Sequence, residues 1–246
     1  MERSAAEIIA HRGYSARAPE NTLAAVELAI EVGADAVEWD VHVAACGTPV
    51  LFHDVSLGRT SNGAGTVRRR TLGQLQALDA GSWFSAEFAG EKIPSLAQAL
   101  ETAKGRVRRM YVEVKGYREL EDLDRMVSIV RQANAMADTV FISLDWGILD
   151  RIRGQEPSVA LGFIVDDEAR FEEAVQRVLD DGDAFVDASH RLLLARPELA
   201  TGARQRGVEL GAWTVDDPDE ATALLELGVT GFTTNDVERL LTWRTG

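Results

Sequence analysis

Six residues stand where a parallel α/β fold would assemble chemistry. Glu38 and Asp40 are two apart in the run Ala36–Val41, so on a strand they point to one face. Two acids on the inner face of a buried sheet are costly unless something cationic holds them, and a hard cation with oxygen ligands is the natural solution. Glu113 and Lys115 repeat the spacing in Arg109–Lys115, adding a third carboxylate and a cation to the same interior. The plainer alternative is an internal Glu113–Lys115 ion pair, with Glu38 and Asp40 solvated at a strand end. The two pairs together make it the weaker account. His11 follows Ile8-Ile9-Ala10 and His53 follows Val50-Leu51-Phe52. Both sit at the ends of strand-like runs, where parallel barrels build active sites, and two proton carriers there suit acid–base chemistry. Either histidine alone is more often structural. His42 and His190 read as structural, Asn62-Gly63-Ala64-Gly65 as a turn lacking the lysine of a phosphate loop, and Cys46-Gly47 as a hairpin turn.

Delivering these side chains to one place requires an ordered set of strands. Apolar runs recur at Glu7–Ala10, Ala36–Val41, Val50–His53, Arg109–Lys115, Val140–Ser143, Ala160–Ile164, Ala184–Asp187, Glu209–Trp213 and Gly231–Thr234. Most are continuous rather than alternating, as in strands buried on both faces. Helical patterns fall between them at Thr22–Glu31, Ser95–Thr102, Leu120–Ala133, Trp146–Arg153, Glu168–Leu179, Pro197–Arg206, Asp219–Leu227 and Asp236–Trp243. Thr22, Ser95 and Asp217-Pro218 supply helix starts, and Gly228 a helix stop. The alternation predicts α/β with right-handed crossovers, and its length matches a TIM (β/α)8 barrel of ~250 residues. A doubly wound open sheet is the alternative that periodicity leaves open. Asp54–Ile93 breaks the rhythm, with one helical pattern near Thr71–Leu78, and reads as a small lobe inserted after the second barrel strand region.

With 46 % hydrophobic and 27 % charged residues, the 246-residue chain has the balance of a globular protein, expected to form a single domain over 1–246. A net charge of −14 opposes nucleic acid and anionic lipid surfaces. The single cysteine, Cys46, excludes an internal disulfide. No stretch approaches the ~18 apolar residues of a spanning helix, and the N-terminus does not resemble a secretory leader. A cytoplasmic protein without stable membrane association is expected, with self-association left open.

Several motifs occur in order: His11-Arg12-Gly13, Pro19-Glu20-Asn21-Thr22, Glu38-Trp39-Asp40-Val41, His53-Asp54, Arg59-Thr60, Asn62-Gly63, Leu78-Asp79-Ala80-Gly81, Trp83-Phe84, Ile93-Pro94-Ser95-Leu96 and Glu113-Val114-Lys115. Together they closely resemble the glycerophosphodiester phosphodiesterase family, densely over roughly the first 115 residues and more thinly through Phe141–Leu144 and Trp213-Thr214-Val215. The resemblance implies a TIM barrel and one divalent cation, Ca²⁺ or Mg²⁺, held by Glu38, Asp40 and Glu113. It implies His11 and His53 as acid and base and Arg12 and Lys115 on the phosphate, with Glu20 and Trp213 on the substrate side of the pocket. The implied reaction is metal-dependent hydrolysis of a small glycerophosphodiester to glycerol 3-phosphate and an alcohol. Alternatives on the same scaffold are a lysophospholipase D, with Trp83, Phe84 and Phe88 as a candidate apolar lip, and a barrel that binds phosphodiesters without turnover. Two departures stand out. Cys46-Gly47 replaces a common Asp-Gly, and Thr234-Asn235-Asp236-Val237 replaces the usual Thr-Asp-x-Pro, where no catalytic role is carried over.

Overall fold

The continuous apolar runs fold as strands covered on both faces. In the computed structural model, which describes residues 2–246, they are β1 (Glu7–Ala10), β2 (Ala36–Val43), β3 (Pro49–Leu51), β4 (Arg109–Val114), β5 (Thr139–Ser143), β6 (Ala160–Val165), β7 (Ala184–Ser189), β8 (Leu210–Trp213) and β9 (Gly231–Thr234). Eight of them run parallel in the order β1-β2-β4-β5-β6-β7-β8-β9, and β1 pairs with both β2 and β9. That pairing closes a TIM barrel and removes the open-sheet alternative. Strand alternation explains the unbroken apolar runs. Ile9, Ala36, Tyr111, Val140, Ile142 and Ile164 fill the barrel, while Ile8, Val37, Trp39, Val112, Phe141 and Phe163 belong to the larger apolar layer beneath the helices.

That outer layer is covered by α1 (Leu23–Glu31), α3 (Leu96–Ala103), α4 (Leu120–Gln132), α5 (Trp146–Gln155), α6 (Glu168–Asp181), α7 (His190–Ala195), α8 (Pro197–Gln205), α9 (Pro218–Leu227) and α10 (Val237–Thr245), with a short α2 (Leu72–Gln76) in the lobe. The Thr22 hydroxyl accepts from the Ala25 N–H, Ser95 and Gln98 form a capping box, and Asp217 caps α9 ahead of Pro218. Gly228 ends α9 at φ 102°, a left-handed position. The sequence pattern misses α7, because six residues directly after a strand are too few to display a helical period. No helix among the described residues is long and apolar enough to cross a membrane.

The third apolar run is not a barrel strand. β3 pairs antiparallel with β2, with Val41 opposite Leu51 and Val43 opposite Pro49. It is the return arm of a hairpin turning at Cys46-Gly47, where the Gly47 N–H donates to the Ala44 carbonyl at 2.9 Å. Beyond it the chain builds the lobe around Ala44, Val50, Phe52, Leu57, Val67, Leu75, Ala80 and Ile93. Its two ends meet at a stem, where the Leu51 N–H donates to the Pro94 carbonyl at 2.9 Å and Val50 bridges Ser95.

Inside the barrel, Gly162 leaves room for its neighbours: a Cβ there lies 2.5 Å from Phe185 and 2.6 Å from Ile142. Gly162→Ala is therefore expected to cost about 1–3 kcal/mol of stability through overpacking, read as a lower denaturation midpoint. An unchanged midpoint contradicts this packing.

Candidate active site

The turn after β1 brings the first site residues to the barrel rim. The His11 N–H continues the ladder to the Thr234 carbonyl at 2.9 Å. Arg12 then adopts φ 58°, a left-handed conformation costing a non-glycine residue about 1–2 kcal/mol, and its N–H donates to Glu38 Oε2 at 2.9 Å. Gly13, at φ 78°, passes so close to α1 that a Cβ meets the Ala25 backbone at 2.5 Å. Asn21, also left-handed at φ 58°, clasps Asp40: its Nδ2 donates to Asp40 Oδ2 at 2.7 Å, and its Oδ1 accepts from the Asp40 N–H at 3.0 Å.

Glu38, Asp40 and Glu113 converge, with one oxygen of each within 4.8 Å of the others. Two cations face them. Lys115 Nζ lies 2.7 Å from Glu113 Oε1 and 3.5 Å from Asp40 Oδ1, and Arg12 Nε lies 3.1 Å from Asp40 Oδ2, off the hydrogen-bond axis. Burial and then the Asp40 charge push Glu38 well above its ordinary value, and the same two causes raise Glu113. Burial also opposes ionisation of Asp40, but Arg12 and Lys115 outweigh it and hold that carboxyl low. Glu38 Oε1 and Asp40 Oδ1 are buried without a hydrogen-bond partner. Orphaned carboxylate oxygens in an all-oxygen set, with one negative charge more than the flanking cations offset, fit a hard divalent cation.

The two histidines are backed differently. His11 Nδ1 lies 2.7 Å from Asn235 Oδ1, and burial, helped by the Arg12 charge, pushes the ring down to about 4. His53 Nδ1 donates to Asp54 Oδ1 at 2.6 Å. Asp54 is gripped by Arg59 at 2.8 Å and 3.0 Å, which holds it far below the usual carboxylate range. His53 reaches the rim by an unexpected route: it arrives from antiparallel β3 and meets the level of Asp40, whose carbonyl accepts from the Phe52 N–H. The His42 Nε2 lies 3.0 Å from the His53 carbonyl, so His42 buttresses that turn.

His11, Arg12, Glu38, His53, Glu113 and Lys115 line one cavity of about 240 Å³, closed opposite by Ile142, Leu144, Ile164 and Trp213. Glu20 is not on this wall. Its oxygens accept from Arg12 at 2.7 Å and from Arg59 at 2.8 Å, so it links the two arginines from behind. His190 is also outside, its Nδ1 3.1 Å from the Trp213 carbonyl. Sequence reasoning missed Asp187, an inward residue two positions after Phe185 whose alternation was legible. Its carboxyl lines the cavity and makes no side-chain hydrogen bond among the described residues, in space that Gly211 leaves free.

Burial and then the Glu113 charge push Asp187 up to about 8. With an ordinary value of about 4 when unfolded, the stability of the protonated folded form is present at low pH and lost as pH rises from about 4 to about 8. In EDTA-treated protein, the melting temperature of Asp187→Asn is expected to gain on the parent's between pH 5 and pH 8. A gap independent of pH contradicts the raised value.

The glycerophosphoryl diester phosphodiesterase family model matches residues 11–239. A glycerophosphodiester phosphodiesterase of Caldanaerobacter subterraneus is 31 % identical over 95 % of this chain and 96 % of its own. An Oleispira antarctica phosphodiesterase, solved in complex with the product sn-glycerol-3-phosphate, superposes with a TM-score of 0.89 at 28 % identity, covering 98 % of this chain and 97 % of its own. A glycerophosphodiester phosphodiesterase of Agrobacterium tumefaciens superposes with a TM-score of 0.83 at 26 % identity, covering 96 % and 99 %. With its barrel closed and its matched residues gathered at one mouth, the chain belongs to the glycerophosphoryl diester phosphodiesterase family.

Proposed function

We propose that the protein hydrolyses small glycerophosphodiesters to glycerol 3-phosphate and an alcohol, with one Ca²⁺ or Mg²⁺ held by Glu38, Asp40 and Glu113. The observation that carries this is a single cavity lined by two differently backed imidazoles, two fixed cations and converging carboxylates. When bound, the dication neutralises charge on the phosphoryl oxygens. Arg12 offers planar donors to the phosphate, oriented from behind by Glu20, and Lys115 adds a point charge. His11, kept neutral by burial, takes the proton of the attacking hydroxyl, whether water or the substrate's own glycerol hydroxyl. His53 delivers a proton to the leaving alkoxide, with Asp54 orienting its ring and compensating its charge. Trp213 and Asp187 stand on the wall that meets the rest of the substrate. The net charge of −14 favours a small soluble diester over an anionic bilayer, and we assign the working compartment to the cytoplasm.

A second reading, an alcohol with an apolar chain as in a lysolipid, draws on one observation. Val55, Tyr117 and Leu144, just past His53, Lys115 and Ile142, are exposed to 61 %, 39 % and 38 %. Trp83, Phe84 and Phe88, the lip expected from sequence, pack edge to face within the lobe at 5.7 Å, with Trp83 itself 41 % exposed.

Turnover of glycerophosphocholine, glycerophosphoethanolamine and a lysolipid, with and without metal, tests both. The two small diesters are expected to be cleaved, EDTA to abolish activity, and Ca²⁺ or Mg²⁺ to restore it. His11→Ala and His53→Ala are each expected to lower kcat by about 10²–10⁴-fold. Preference for the lysolipid favours the second reading; no turnover with metal present leaves a phosphodiester-binding barrel.

A further inference from the structure

The departure at Thr234-Asn235 acquires a role in the fold. Asn235 follows β9 directly, beside the strand that delivers His11, and its Oδ1 meets His11 Nδ1 at 2.7 Å. Its amide cannot rotate freely. Nδ2 donates to Asp216 Oδ2 at 2.8 Å, while the Asn235 N–H and the Thr234 hydroxyl donate to Asp216 Oδ1 at 2.8 and 2.9 Å. The Ser15 hydroxyl donates to Asn235 Oδ1 at 3.0 Å. A flipped amide sets oxygen against the Asp216 carboxylate and NH₂ against the imidazole, losing the bond that an anionic acceptor makes strongest.

With that orientation fixed, Asn235 Oδ1 can only accept, so His11 Nδ1 must carry the hydrogen. Nε2 is then the bare nitrogen left for the cavity that His11 lines. We propose that Asn235, locked by Asp216, is a positioning residue that selects the Nδ1–H tautomer of His11 and so presents Nε2 as the proton acceptor. The proposal rests on His11 being the base. An amide does this without placing a negative charge beside the ring, and a carboxylate at position 235 would meet Asp216 at about the same 2.8 Å separation. The second imidazole differs: His53 is backed by the carboxylate of Asp54.

The test uses the full-length, metal-supplemented enzyme with ¹⁵N-labelled histidine, reading ring tautomers by NMR alongside kcat and KM. His11 in the parent is expected to be a single Nδ1–H tautomer. Asn235→Ala and Asp216→Asn are each expected to give a mixed tautomer and a kcat lowered about 10–100-fold, with KM changed less than about threefold. The exchanged pair, Asp216→Asn with Asn235→Asp, returns an acceptor to the ring and is expected to recover the single tautomer and most of the lost kcat. If Asn235→Ala does not fold, Asp216→Asn and the exchanged pair carry the same measurements. Retention of the single tautomer in the point variants, or recovery of the tautomer without kcat, overturns the proposal. An inactive His11→Ala beside an unimpaired Asn235→Ala strikes only the positioning role. A His11→Ala enzyme with parental turnover strikes the base assignment itself.

Discussion

Three carboxylates meet in the mouth of a barrel that offers only two fixed positive charges to hold them. Removing Glu38 and Asp40 from water is expensive, and each retains a buried oxygen without a hydrogen-bond partner. Much of the surrounding structure answers this imbalance. The turn after β1 bends through a left-handed Arg12 so that its N–H reaches Glu38 and its guanidinium reaches Asp40, and Asn21 adopts the same unusual backbone to clasp Asp40 from the other side. Lys115 sits one strand alternation above Glu113 and serves both acids. The same excess of negative charge is what fits the barrel mouth to a hard dication.

Charge is also distributed beyond this centre in a connected way. Arg59 binds both Glu20, behind Arg12, and Asp54, behind His53. A single lobe residue thus links Arg12, through Glu20, to His53, through Asp54. The acidic body, at −14, does not set the potential inside the pocket, because surface charge is screened over about 8–10 Å while buried pairs are screened much less.

The barrel was legible because its rule is simple: inward and outward positions of a closed parallel sheet are both apolar, giving unbroken runs such as Ile8-Ile9-Ala10 and Val140-Phe141-Ile142. Glu38, Asp40 and Glu113 stood out against that rule. The return of Pro49–Leu51 was legible as well, not from its composition, which is that of a barrel strand, but from the Cys46-Gly47 hairpin turn ahead of it. Contacts between distant segments were hidden. Asn235 lies 224 positions from His11, and neither residue type alone indicates the other. Asp187 escaped notice because one acid in a strand reads as an edge residue until the strand is known to be enclosed.

The stem of the inserted lobe has a consequence for how such a protein can change over time. Because the chain leaves and re-enters beside itself at Leu51 and Pro94, the barrel registers the excursion as little more than a tight turn. Lengthening or trimming its far portion alters closure entropy only logarithmically. The carboxylate centre belongs to β2 and β4, whereas His53, Asp54 and Arg59 ride on the near arm of the excursion. Descendants of one ancestral barrel could therefore exchange the outer part of the lobe while leaving the charge-bearing interior intact, without rebuilding the fold.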